Sequence, residues 1–125
     1  LSTVSKAKKY CQITCLSEVI MNTYTKINFE EAKRMLDSGK CIMFDVRTDE
    51  EFFTGHADGA VNFDVDTINA DTAAELIPSK DTPILVYCKT GERASLAADE
   101  LSALGYKNIY SVGSLVEWPY GLSFE

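Results

Sequence analysis

Apolar residues along the chain gather into short uninterrupted runs, and the stretches between them follow a helical period. Pro83 to Tyr87 is the clearest run of the first kind, rich in β-branched and aromatic residues and without polar alternation, as an interior strand of a parallel sheet is. Cys41-Ile42-Met43-Phe44 reads as a second buried strand and Asn108 to Val112 as a last strand. Ile27 lies in a short extended stretch, and Ala60 to Phe63 reads as a further short strand. Asn28 with Glu31 three residues later opens a helix through Ala32, Met35 and Leu36, which Gly39 ends. Thr48 to Phe53 makes a brief acidic helix that breaks at Gly55, and Asp66 to Ile77 is moderately helical. From Arg93 to Leu104 the positions Leu96, Ala97, Leu101 and Leu104 recur at helical spacing before Gly105 stops the element. After the last strand come Gly113 and a short helix carrying Trp118. Strands separated by helices of this length form parallel βαβ units, with the sheet covered on both faces. Ligands of such open sheets bind beyond the carboxyl ends of the strands, and Cys88 lies at one such end.

Residues 1–22 stand apart from this alternation. Lys6, Lys8 and Lys9 lead into Tyr10, Cys11, Ile13, Cys15, Leu16, Val19 and Ile20, a loosely amphipathic pattern that reads as a helical extension ahead of a domain over residues 23–125. Cys11 and Cys15 share a face at that spacing. The 125 residues bound the answer to one domain that buries about two-thirds of its unfolded surface. A net charge of −7 argues against nucleic acid or an anionic membrane surface as the main partner. No apolar run has transmembrane length, and no secretory leader is recognisable. The four cysteines lack zinc-ligand spacing and have one histidine to help them, so no zinc site is expected. A reduced, cytoplasmic protein is the expectation.

Against that acidic background, Cys88-Lys89-Thr90-Gly91-Glu92-Arg93 is distinctive. A loop between a strand end and a helix start turns its backbone N–H groups inward, and the helix dipole adds positive potential there. Such a cradle favours a thiolate and holds an anion beside it, and Lys89 and Arg93 add two cations. Taken singly, each residue has a plainer reading: a small buried cysteine, a turn glycine, an exposed helix arginine. Cys-x-x-Gly-x-Arg between a buried strand and an amphipathic helix is harder to explain as packing. The chemistry it favours is attack of a thiolate on an anionic electrophile.

Asp45-Val46-Arg47, and Glu51-Phe52-Phe53-Thr54-Gly55-His56-Ala57-Asp58-Gly59-Ala60-Val61-Asn62, resemble the two landmark motifs of rhodanese-like domains. Cys88 to Arg93 is similar to that family's sulfur-accepting loop, and Gly105-Tyr106, Val112-Gly113 and Trp118-Pro119 fit its closing segment. The resemblance runs from about Tyr24 to Tyr120. It implies an open, parallel, five-stranded sheet with helices on both faces, with Cys88 carrying a persulfide during sulfur transfer. On that reading Cys88 attacks the sulfane sulfur of a donor such as thiosulfate and passes it to cyanide, a thiol or a sulfur-accepting protein. The amides and side chains of Lys89, Thr90, Gly91, Glu92 and Arg93 hold the anion, and no metal or organic cofactor is needed. Ser114 stands where the family usually has a second glycine; it is expected to stiffen that turn and leave the catalytic loop alone.

The landmark residues read as structural support. Asp45 can hold loop N–H groups, Arg47 can pair with Glu50 or Glu51, and His56 is a hydrogen-bonded turn histidine, since a cradle-stabilised thiolate needs no base. Trp118 reads as a core anchor. Two other classes use similar parts. A cysteine-dependent phosphatase or arsenate reductase shares the cradle, but such phosphatases carry one more residue between cysteine and arginine. Cys88 and Arg93 have four between them, which suits a single sulfur atom better. A noncatalytic binding module would have no use for Cys88, whereas a persulfide carrier serving a partner protein stays compatible with the loop.

Overall fold

The structure, a computed structural model, describes residues 24–124. The expected helix over residues 1–22, and Cys11 and Cys15 with it, lie outside the described residues. Five strands form one parallel sheet: β1 (Tyr24–Lys26), β2 (Ile42–Asp45), β4 (Val61–Asn62), β5 (Ile84–Cys88) and β6 (Ile109–Ser114). Their order across the sheet is β1-β6-β5-β2-β4, every pairing parallel. The helices are α1 (Phe29–Asp37), α2 (Asp49–Phe53), α3 (Ala70–Leu76) and α4 (Glu92–Ala103). A two-residue strand β3 (His56–Ala57) pairs antiparallel with β7 (Leu122–Ser123) outside the main sheet.

The fully buried β5 runs between β6 and β2. Its two-residue alternation sends Val86 and Cys88 to one face, where they pack with Ala94, Ala97, Ala98 and Leu101 of α4. Leu85 and Tyr87 point to the other face, against Ala32 of α1 and Ala57. The nucleophile candidate is thus aimed at the start of α4 by strand register alone. Helix α1 is capped at Asn28, whose side chain accepts the Glu31 N–H at 2.8 Å.

Several expectations change in detail. The stretch Asp66 to Ile77 divides into a 3₁₀ turn at Val65–Thr67 and helix α3, because Asn69 adopts extended backbone and caps a new helix through the Asp71 and Thr72 N–H groups. Leu96 lies on the solvent side of α4, and the buried stripe is Ala94, Ala97, Ala98 and Leu101. Trp118 follows a 3₁₀ turn (Leu115–Glu117) rather than riding in a helix. It packs edge-on to Phe29 and is only part-buried.

Arg47 does not reach Glu50 or Glu51. It closes on Asp45, in a buried ion pair at the carboxyl end of β2. Asp45 Oδ1 accepts the Arg47 N–H at 3.0 Å and its Nε at 2.9 Å; Oδ2 accepts Nη2 at 2.7 Å and the Tyr87 hydroxyl at 2.7 Å. Arg47 Nη2 also donates to the Gly55 carbonyl at 2.7 Å, and the Tyr87 oxygen accepts the Ala57 N–H at 3.0 Å. Burial works against the Arg47 charge, but Asp45 more than offsets it and raises the pKa. Burial first, then the bond to Asp45, pushes the Tyr87 phenol well above its ordinary range. Removing one partner of such a pair strands a buried charge, at about 3–5 kcal/mol; a hydrogen bond to a charged group is worth about 1.5–3 kcal/mol. Arg47→Leu should therefore destabilise the fold more than Tyr87→Phe does, both by more than 1 kcal/mol on that scale. Urea unfolding checks the order, and Tyr87→Phe costing as much as Arg47→Leu would contradict it.

Candidate active site

Cys88 ends β5 with no solvent exposure. Its Sγ accepts two backbone N–H groups, from Gly91 at 2.9 Å and from Ala94 at 3.3 Å. The chain makes this possible by wrapping around the sulfur: Gly91, the N-cap of α4, sits at φ +103°. A β-carbon at Gly91 would find room, its nearest neighbour being Gly113 Cα at 3.9 Å. The requirement for glycine is conformational, since L side chains rarely adopt that φ. Ala94 is the third residue of α4, so its N–H is one that the helix leaves without an internal partner. The sequence placed the cradle in residues 89–93 and missed Ala94; the orphan donors of a first helical turn were the available signal.

Lys89 and Thr90 are exposed, as is Glu92, while Gly91 and Arg93 are part-buried. The Arg93 guanidinium does not lie free at the rim. Its Nη1 donates to Glu51 Oε1 at 2.7 Å and its Nη2 to Oε2 at 3.0 Å, a two-pronged pair across to α2. Glu51 is itself fixed by the capping box of α2: Thr48 accepts the Glu51 N–H, and Glu51 Oε1 accepts the Thr48 N–H at 3.1 Å. Glu51 raises the Arg93 pKa mainly through these hydrogen bonds, with a smaller electrostatic contribution from Cys88. Ser114 does not leave the loop alone: its hydroxyl donates to the Lys89 carbonyl at 2.7 Å, tying the loop's first peptide to β6.

His56 is buried in β3, stacked on Phe52 at 3.6 Å between ring centroids, with Nδ1 at 2.9 Å from the Phe52 carbonyl. Asp45 and Arg47 brace the strand edge as described above. Among the described residues, no group of three or more histidine, cysteine, aspartate or glutamate side chains is placed to hold a metal, and no helix is long and apolar enough to cross a membrane. The other described cysteine, Cys41, is part-buried just ahead of β2, and burial raises its pKa.

A parallel sheet with this order, and a strand–loop–helix cradle at its carboxyl edge, match what known proteins show. The model of the rhodanese-like domain matches residues 28–119, and the chain belongs to that family. It is 29% identical to thiosulfate sulfurtransferase GlpE of Tolumonas auensis, over 78% of this chain and 91% of that protein. It is 32% identical to tRNA uridine(34) hydroxylase of Chlamydia muridarum over 77% of this chain, a match that spans 30% of that protein. A solved structure of a rhodanese with anions from E. coli superposes with a TM-score of 0.62 at 26% identity, covering 67% of this chain and 98% of that one. The fold is likewise that of the human single-domain sulfurtransferase TSTD1, at a TM-score of 0.64 and 24% identity, over 74% of this chain and 93% of that one.

Arg93 holds the Glu51 carboxyl at about 2, below its ordinary 4.5. A carboxyl whose folded pKa is depressed stabilises the fold above its unfolded pKa, and that contribution fades as pH falls toward the folded value. The stability difference between the wild type and Glu51→Gln should therefore be constant above about pH 5 and shrink between about pH 4.5 and 2. Urea midpoints measured across that range check this; a difference independent of pH would contradict the pairing.

Proposed function

We infer that this chain is a sulfurtransferase in which Cys88 takes the sulfane sulfur from an anionic donor such as thiosulfate and passes it to a thiophilic acceptor. The observation that carries this reading is the pair of N–H groups on Cys88 Sγ, inside a loop with four residues between Cys88 and Arg93. The Cys88 thiolate attacks the outer sulfur of the donor. A new S–S bond forms at Sγ as the donor's S–S bond breaks, and sulfite leaves with the electron pair. The persulfide carries its charge on the added sulfur, next to the loop amides, where fixed dipoles stabilise it without reorganising. A nucleophilic acceptor then removes that sulfur and restores the thiolate.

The side chains divide the remaining work. Lys89 is exposed and raises the local concentration of donor anions, an effect that salt screens over about 8–10 Å. Arg93, committed to Glu51, braces the cradle and contributes its backbone. Likeness to a thiosulfate sulfurtransferase over most of its length, and to a rhodanese solved with anions, supports this reading. The tRNA uridine(34) hydroxylase relatives carry their matching part within a longer protein, so their name does not transfer to this chain.

Intact mass spectrometry after exposure to thiosulfate is the test. The wild type should gain one sulfur atom that cyanide removes, and Cys88→Ser should gain none while keeping its fold. A Cys88→Ser variant that still transfers sulfur from thiosulfate to cyanide would sink the assignment. Within the same assay, Lys89→Ala should weaken the donor step by an amount that shrinks as ionic strength rises. A salt-independent defect would place Lys89 in direct contact instead.

A further inference from the structure

Strands β5 and β6 run in simple register as far as Val86 opposite Ser111, and there β6 gains one residue. Gly113 then lies opposite Tyr87, and Ser114 opposite Cys88. Gly113 adopts a φ of +96° within this irregularity. A bulge of this kind re-aims the side chains that follow it. Without the extra residue, Gly113 rather than Ser114 would stand level with Cys88.

The Ser114 hydroxyl makes two hydrogen bonds. Its oxygen accepts the Val116 N–H at 3.2 Å, capping the 3₁₀ turn, and its proton goes to the Lys89 carbonyl at 2.7 Å. A trans peptide is planar, with its C=O and N–H on opposite sides. Holding the Lys89 carbonyl toward β6 therefore turns the Thr90 N–H away from β6. Among the described residues that N–H makes no hydrogen bond, so the Ser114 hydroxyl is what fixes this peptide.

The direction matters because the loop is short. Gly91 and Ala94 already turn their N–H groups onto Cys88 Sγ. Successive N–H groups pointing inward make an anion site, and a carbonyl turned inward among them opposes it. A flip of the Lys89–Thr90 peptide exchanges donor for carbonyl, and would bring a partial negative charge to the side where Ser114 now keeps an N–H.

We propose that Ser114 is a positioning residue for the Cys88 loop: it latches the Lys89–Thr90 peptide with the carbonyl turned out to β6, keeping that dipole off an anionic sulfur at Cys88. The proposal takes from the sulfur-transfer reading only that Cys88 works as a thiolate. Ser114 acts through the loop backbone and not by contact with the reacting sulfur.

The test is alkylation of the full chain by iodoacetamide across pH, followed at Cys88 and at Cys41 by peptide mass spectrometry. Loss of one hydrogen bond changes an equilibrium about two- to tenfold. Ser114→Ala should therefore move the midpoint of the Cys88 profile up by about 0.3–1 pH unit. Ser114→Thr, which keeps the hydroxyl, should return it to the wild-type position. The Cys41 profile should be the same in all three proteins, which separates a change at the loop from a general loosening of the fold. A Ser114→Ala profile superimposable on the wild type, a shift that Ser114→Thr leaves in place, or an equal shift at Cys41 would overturn the latch. Sulfite release from thiosulfate is measured on the wild type in parallel. Release together with an unmoved Ser114→Ala profile removes the latch alone; no release, with the hydroxyl-dependent profile present, removes the sulfur-transfer reading and upholds the latch.

Discussion

A carboxylate sealed from water is tolerated only when its oxygens are answered by donors and its charge by a cation, and Asp45 imposes that condition on the whole sheet edge. Its oxygens take the Arg47 guanidinium and main-chain N–H together with the Tyr87 hydroxyl. Arg47 in turn holds the Gly55 carbonyl, and Tyr87 holds the Ala57 N–H. Through these bonds the ends of β2 and β5 are locked side by side, with the turn into β3 fastened beneath them. Cys88 is the next residue after Tyr87, so a shift of that anchor would move the sulfur out of reach of the N–H groups that hold it. Replacing the pair with well-packed apolar residues is often neutral for stability, but it would give up the fixed directions that the ion pair and phenol impose.

The candidate site is built on that rigid edge by turning main-chain N–H groups of the following loop and helix onto Cys88. Register aims Cys88 at α4, and Gly91 bends the loop so that two main-chain dipoles meet the sulfur. Side-chain charge has a different role from the one a loop bearing both Lys and Arg suggests. Arg93 is spent on Glu51, which also caps α2, so one carboxylate couples the helix after β2 to the helix after β5. On the sulfur-transfer reading, stabilisation of an anion at Cys88 falls mainly to fixed backbone dipoles, with Lys89 exposed to incoming solute. Ser114, in register with Cys88 on β6, adds a tie to the Lys89 carbonyl that a glycine could not make.

What the sequence made legible follows from the range of each interaction. The Cys88 loop, the apolar runs of β2, β5 and β6 and the Asn28 cap are local features, and local pattern carries them. Glu51 and Arg93 are 42 positions apart, and no periodicity links them, so Arg93 read as free and Arg47 was matched with the nearer acidic residues. Tyr87 looked like one more strand aromatic because its hydroxyl partner lies on the neighbouring strand. The β3–β7 pairing is two residues long, too short to leave an alternation. Leu96 was counted toward the core on spacing, whereas the close approach of α4 to the sheet is made by alanines.

The central claim is that main-chain N–H groups of the α4 cradle, rather than side-chain cations, hold the sulfur at Cys88. Amide ¹H–¹⁵N spectra of the protein before thiosulfate, after it, and after cyanide address this most directly. The account predicts that the Gly91 and Ala94 amides shift on sulfur loading and return when cyanide removes the sulfur, with smaller changes at the Arg93 side chain. Loading confirmed by mass, with those two amides unmoved and the Arg93 guanidinium signals displaced, would contradict it.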